Sequence, residues 1–401
     1  MSSDTPSDRP RPGRYGRFGG RYVAEAIWTP LQKIAAAFEE AVADDAFMEE
    51  FQRQLNDRLG RPTPVSLLSR LSEGEGGGRL WLKREDLCQG GSFCGNLAVA
   101  YGLLARRMGY KWLIGDTATG DFGIALGAVG NALGLKTRIF IGREDADEEA
   151  MQVRRMDELG VSVERVDTHC RGRKAACAEA LRYWATHSKN QLYCSSSLAA
   201  PDPFPRMIAY FLSVIGAEAG VQLSRRRCRP FYLVAPVGSG GFAAGLFSEF
   251  VEDEDVQLVG VQAGAEGLEG RNSASIVAGR PGIFHGTHSF LLQDDDGQVA
   301  RPASIAGGLS MAHVGPQHAR WAETGRVHYV AVENVDAVRA VRKVMAEEGI
   351  NASLESGHAL AYALELLPTL SSDKDVVVGI SGAGMRDIER IRRRTQEEDE
   401  S

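Results

Sequence analysis

The strongest constraint on the fold is a rhythm of short apolar runs separated by helix-length segments. A helix-like stretch at Gly95–Gly109 leads into an apolar run at Lys111–Gly115. A small-residue helix at Gly123–Gly134 precedes a strand at Lys136–Gly142. Helix Asp147–Gly160 precedes strand Val161–Val166, and helix Lys174–Ser188 precedes strand Gln191–Cys194. The second half repeats the pattern: helix Phe204–Glu218 then strand Phe231–Val237, helix Gly240–Phe250 then strand Val256–Gln262. Strand Val327–Val332, helices Val335–Glu348 and Glu355–Leu367, and strand Asp375–Ile380 close the series. Strands alternating with helices of 10–15 residues imply parallel sheets in an α/β architecture. Two such series imply two α/β domains with a ligand cleft between them.

The expected division is a polar tail over 1–14, an N-terminal α/β domain over 15–203, a C-terminal α/β domain over 204–390 and a polar tail over 391–401. The N-terminal domain includes a mobile subdomain near 109–196, and segment 60–90 packs with the C-terminal domain. A chain of 401 residues can hold domains of this size. The formal charge of −7 argues against a nucleic-acid binder that relies on bulk electrostatics. No uninterrupted apolar run reaches membrane-spanning length, and the N-terminus lacks the apolar stretch of a secretory signal. The expectation is a cytoplasmic protein with no membrane or nucleic-acid partner. The cysteines Cys88, Cys94, Cys170, Cys177, Cys194 and Cys228 form no C-x-x-C pair, so reduced thiols are expected and no metal site.

Eight segments, in order, carry a family resemblance. They are GRFGGRYV (16–23), GRPTP (60–64), LKREDL (82–87), DPFPRMIAYFLSVIGAE (202–218), AGRPGIFHG (278–286), VGPQH (314–318), LESGHALAY (354–362) and SGAG (381–384). Together they resemble the β-subunit of tryptophan synthase, a fold-type-II pyridoxal-phosphate (PLP) enzyme. The resemblance implies two parallel-sheet domains with the active site between them, a homodimer and an α-like partner subunit. It also implies a set of PLP-handling groups, and several positions here depart from that set.

The resemblance places the Schiff-base lysine at Cys94 and the preceding histidine at Phe93, with Asn96 close by. A thiol cannot form an imine with PLP. Of the eight lysines only Lys83 is close in sequence, and the family carries that lysine as well. The phosphate turn reads Gly238-Ser239-Gly240-Gly241-Phe242, where Phe242 adds bulk and two side-chain donors are gone. Backbone N–H groups of such a turn could still meet an anion, or the glycines could serve only to make a tight turn. Ser381 stands at the position of the pyridine-nitrogen partner, and Glu355 is retained on an apolar helix. The carboxylate loop reads Asp116-Thr117-Ala118-Thr119-Gly120-Asp121-Phe122. Asp116 takes the place of the indole-facing glutamate, Asp121 of a neutral glutamine and Phe122 of a histidine. Ser310 replaces an aspartate in a later loop and is a substrate-binding candidate, and His313, new there, is a catalytic candidate.

Structural motifs persist while PLP-handling groups are replaced together. The expectation is therefore a PLP-independent enzyme acting on an indole or tryptophan-like amine. A Pictet–Spengler-type condensation would need no protein lysine. Asp116 would move the proton and Asp121 would face a substrate ammonium. A variant makes Cys94 a nucleophile, activated by a helix N-terminus. No cofactor is expected, although PLP held non-covalently by Ser381 and the glycine turn is an alternative. The rival reading is a silent pseudo-subunit that binds an indole ligand or pairs with another tryptophan-synthase-like chain.

Overall fold

A computed structural model describes residues 12–74, 77–167 and 172–399. The larger sheet has six strands. Their spatial order is Val327–Glu333, Gln257–Ala265, Pro230–Pro236, Asp375–Ile380, Arg79–Arg84 and Val65–Leu67. All neighbours are parallel except the last pair. Strand Asp375–Ile380 (DVVVGI) is buried at every position. A run apolar on both faces belongs in a sheet covered on both sides, and this one lies near the middle.

The smaller sheet has four parallel strands, ordered Ser162–Val166, Lys136–Gly142, Trp112–Thr117 and Gln191–Cys194. Residues 65–84 thus supply two strands to the larger sheet, and the rest of that sheet comes from beyond residue 229. A third, antiparallel sheet joins Arg14–Tyr15 and Phe18–Gly19 to the hairpin Arg280–Phe284/Thr287–Leu291.

Several elements differ from the sequence expectation. Asp147–Gly160 is two helices, Arg143–Glu148 and Ala150–Glu158. Phe204–Glu218 breaks at Ser213 into Phe204–Leu212 and Val214–Arg225. Taken together, Phe204–Arg225 matches a membrane span in length and composition. Its apolar face is nevertheless committed to the core: Phe211 packs edge-on against Phe38 and Phe51. The polar end expected from residue 391 is helical, within Ile388–Asp399. Cys170 and residues 1–11 lie outside the described residues.

Parallel strands deliver their following loops to one edge, where ligand sites form. Strand Trp112–Thr117 delivers the loop 116–120 into helix Asp121–Leu133. Strand Pro230–Pro236 delivers the glycine turn into helix Gly241–Phe247, and strand Asp375–Ile380 delivers Ser381.

Candidate functional site

These loops meet around a small cleft of about 100 Å³. Cys94, Phe93, Phe122, Phe242, Asp121 and Ser381 all line it, as do Thr117, Ala118, Thr119, Glu355 and the turn Gly238–Gly241. The Phe93 and Phe242 rings pack with centroids 5.3 Å apart. Phe122 is buried and meets Tyr101 edge-on. The Ser381 hydroxyl lies 3.3 Å from the Ser356 hydroxyl, and the Ser381 carbonyl accepts from the Phe93 amide at 3.1 Å. Thr117 Oγ1 accepts the Gly120 amide at 3.0 Å, which tightens the 116–120 loop. Ser239 Oγ accepts the Leu198 amide at 3.3 Å.

The carboxylates around the cleft are paired. Arg386 donates from Nη1 to Asp121 Oδ2 at 2.9 Å, and from Nη2 to both Glu355 oxygens at 2.6 Å. Gln152 donates to the other Asp121 oxygen at 2.8 Å, and the Gly308 amide to Glu355 at 2.8 Å. The two acids respond differently to the shared cation. For Asp121, burial wins over Arg386 and the carboxyl is raised. Glu355 is also buried, but the closer Arg386 contact and the Gly308 amide outweigh burial and hold it down to about 2. Next to them, Arg390 bonds Glu149 at 2.7 Å and Asp387 at 3.3 Å. This ion-pair network joins helices around the smaller sheet to the chain's C-terminal segment.

A second, larger cavity of about 860 Å³ lies alongside. Arg173 and Ala118 line both spaces. Arg173 donates to Ser196 Oγ at 2.7 Å, and its Nε lies 3.3 Å from Asp116 Oδ2. Phe284, His285, His313, Lys174, Asp145 and Ser310 also line this cavity. His285 and Gly286 form the hairpin turn, with φ of +45° and +82°. Positive φ at both central residues is what a two-residue type I′ hairpin turn requires. The turn thereby carries His285 to the cavity wall.

The family model described as "Pyridoxal-phosphate dependent enzyme" matches residues 57–382. The tryptophan synthase beta chain of Bordetella parapertussis is 39% identical over 384 residues, 95% of this chain and 96% of that one. That of Shouchella clausii is 39% identical over 395 residues, 98% of each chain. The chain belongs to the tryptophan synthase beta-chain family. Among solved structures, a fungal L-serine ammonia-lyase from Rhizomucor miehei matches with a TM-score of 0.64 at 21% identity, covering 82% of this chain and 97% of that one. A cysteine synthase from Entamoeba histolytica matches with a TM-score of 0.62 at 17% identity, covering 83% and 88%. Both likenesses support the fold, an α/β fold of type II with parallel sheets.

Set against the family pattern, four sequence expectations need correction. Asp116 lines neither cavity; it is buried, accepting from Tyr193 Oη at 2.7 Å and facing Arg173. One methylene shorter than glutamate, it is held at the end of its strand. Asp121 is already matched by Arg386 and so is not a free counter-ion. Asn96 is not part of an anion site: it is fully buried, accepts from Arg61 at 2.9 Å and donates to Glu85 at 3.2 Å. Cys94 does open a helix, but burial and the neighbouring Asp121 push its thiol up to about 12, opposite to activation.

Lys83 is fixed elsewhere. Its Nζ donates to Thr63 O at 2.7 Å and Glu218 Oε2 at 2.8 Å, and it lines neither cavity. Arg173, Lys174, Arg386, Asp145 and His285 were not singled out from sequence. The one available signal was His285, which sits inside the AGRPGIFHG motif. Arg173 and Lys174 lie in helix Gly172–His187, Asp145 in the short helix Arg143–Glu148 and Arg386 in the 3-10 turn Gly384–Arg386, and only folding brings them to a cavity.

Proposed function

We propose that this chain handles an indole or tryptophan-like amine without PLP, in the large cavity rather than in the inherited cleft. The observation that carries this reading is the contrast between the two spaces. The cleft holds only about 100 Å³ with no lysine among its lining residues, while the adjoining cavity of about 860 Å³ is in the range of small-molecule sites. On this reading the cleft residues do not fit PLP. A protonated thiol stands where the family resemblance puts the lysine. Phe93 and Phe242 pack across the space. Ser381 is turned to Ser356. Arg386, the cation between the carboxylate loop and Glu355, is already taken up by the protein's own Asp121 and Glu355.

A Pictet–Spengler-type condensation fits a site of this kind. A substrate amine adds to an aldehyde and water leaves, giving an iminium. A ring carbon of the indole then attacks the iminium carbon, and loss of the ring proton restores aromaticity. No lysine and no oxidant are needed. The chain's part is to bind and orient two reactants, and the ring proton leaves to solvent. His313 lines that cavity; Asp116 does not. Family membership adds a homodimer and an α-like partner to the proposal.

The silent-subunit reading is favoured by one observation: Asp116, Asp121 and Glu355 are all engaged with arginines. The test is spectroscopic and calorimetric. The purified chain is mixed with PLP, treated with borohydride and weighed by mass spectrometry, then titrated with tryptamine, indole and L-tryptophan. The expected result is no PLP adduct and measurable binding of an indole compound. A borohydride-fixed PLP adduct on any lysine overturns the PLP-independent reading. Binding without product when an aldehyde is added would leave the silent-subunit reading standing in place of the enzyme.

A further inference from the structure

Among the described residues, two buried polar atoms of side chains that line the large cavity have no hydrogen-bond partner. His313 is buried, and its Nε2 lies 3.2 Å from the Ala199 carbonyl. A carbonyl only accepts, so Nε2 carries the hydrogen. Burial holds this imidazole down to about 4, so near neutral pH it is uncharged and Nδ1 is a bare lone pair. That Nδ1 has no hydrogen-bond partner. Asp145 sits on a separate element, helix Arg143–Glu148, and its buried Oδ2 is likewise unpartnered. Buried acceptors without partners cost stability and are rare in native proteins unless a ligand or water completes them.

The wall around His313 is aromatic. Phe284 and His285 stack at 3.9 Å, and His313 stands edge-on to both at 4.8 and 5.2 Å. Lys174 Nζ lies 5.6 Å from the Phe284 centroid, so the corner sets aromatic rings beside a hydrogen-bond acceptor and a cation. Asp145 lines the same cavity: burial and Glu148 push its carboxyl up to about 7 against the opposing pull of Arg173, and its ionised form is the partner for a ligand cation.

We propose that this cavity takes a flat aromatic amine with two donors, the ring N–H bonding His313 Nδ1 and the protonated side-chain amine meeting Asp145, with the ring against Phe284 and His285. The proposal rests on the reading that the large cavity is the substrate site, and it names the recognition groups within it.

The experiment is calorimetric titration of the full chain with three probes: tryptamine, N1-methyltryptamine and 3-ethylindole. Wild type is compared with H313F, H313Q and D145N, each checked for folding by circular dichroism. A site built around a donor rejects an analogue lacking it, so N1-methylation should weaken binding by roughly 10-fold or more in wild type. H313F should weaken tryptamine and remove that difference, while H313Q, which keeps an acceptor, should lose less. D145N should weaken tryptamine and leave 3-ethylindole unchanged. If N1-methyltryptamine and tryptamine bind wild type equally, or H313F preserves their difference, the His313 assignment is overturned. If D145N weakens 3-ethylindole as much as tryptamine, the Asp145 assignment is overturned. If none of the three probes binds, the functional reading itself fails and this inference with it.

Discussion

Replacing Arg386 by methionine tests the electrostatics of the closed cleft. The side chain is 10% exposed and makes its three shortest carboxylate contacts at 2.6 to 2.9 Å. Methionine fills similar space but leaves Asp121 and Glu355 buried without their cation. Two estimates bear on the magnitude. The fall of Glu355 from its ordinary 4.5 to about 2 corresponds to about 3 kcal/mol of stability at neutral pH. Breaking a buried pair by removing one partner costs about 3–5 kcal/mol in general. We therefore expect R386M to lose about 4 kcal/mol near pH 7.

The pH dependence gives the sharper check. In wild type the depressed Glu355 stabilises above its unfolded value of 4.5, and that contribution fades as pH falls toward about 2. In R386M burial is opposed chiefly by the Gln152 and Gly308 donors, so both carboxyls rise and the variant recovers stability as they protonate. The gap between the two proteins should therefore shrink between about pH 7 and pH 5. The assay is urea unfolding followed by fluorescence at both pH values, with R386M/D121N/E355Q expected to regain much of the loss. A cost below about 1 kcal/mol, or a gap unchanged with pH, would refute the reasoning.

Other expectations follow from single positions. Cys94, its thiol near 12, should resist iodoacetamide at pH 8, where only about one molecule in ten thousand would be thiolate; rapid labelling in peptide mapping would contradict this. Asp145 should make stability fall as pH rises from its unfolded 3.8 toward about 7, because the folded form holds the proton longer. D145N should remove that slope and be the more stable protein above pH 7, by up to about 4 kcal/mol. Gly240→Ala should cost roughly 3 kcal/mol or more in unfolding experiments, since φ is +96° and the new Cβ would stand 2.1 Å from the His318 ring.

Much of the fold was legible because its signal is local. Strands Lys136–Gly142, Gln191–Cys194 and Asp375–Ile380 were placed to the residue by apolar runs between turn signals. The N-terminal helices Glu25–Val42 and Asp45–Leu59 stand outside the alternating series although their pattern is in the sequence: Phe47, Phe51, Leu55 and Leu59 recur every fourth residue and are buried. The break at Ser213 carries no proline or glycine at that position, and no sequence rule marks it.

The sequence by itself determined the parallel α/β series, the family and the residue types at the old cofactor positions, because each is a property of local order or of aligned motifs. It could not decide what those residues do. Asp116 and Asp121 look equally available in the chain, yet one is turned to Tyr193 and Arg173 and the other is held by Arg386, 265 positions away. Whether Phe93 and Phe242 fill the cleft depends on two loops from different strands meeting at one edge. The reason is physical: the charge state of an acid and the room around a ring depend on what packs against them, and those neighbours are distant in the chain.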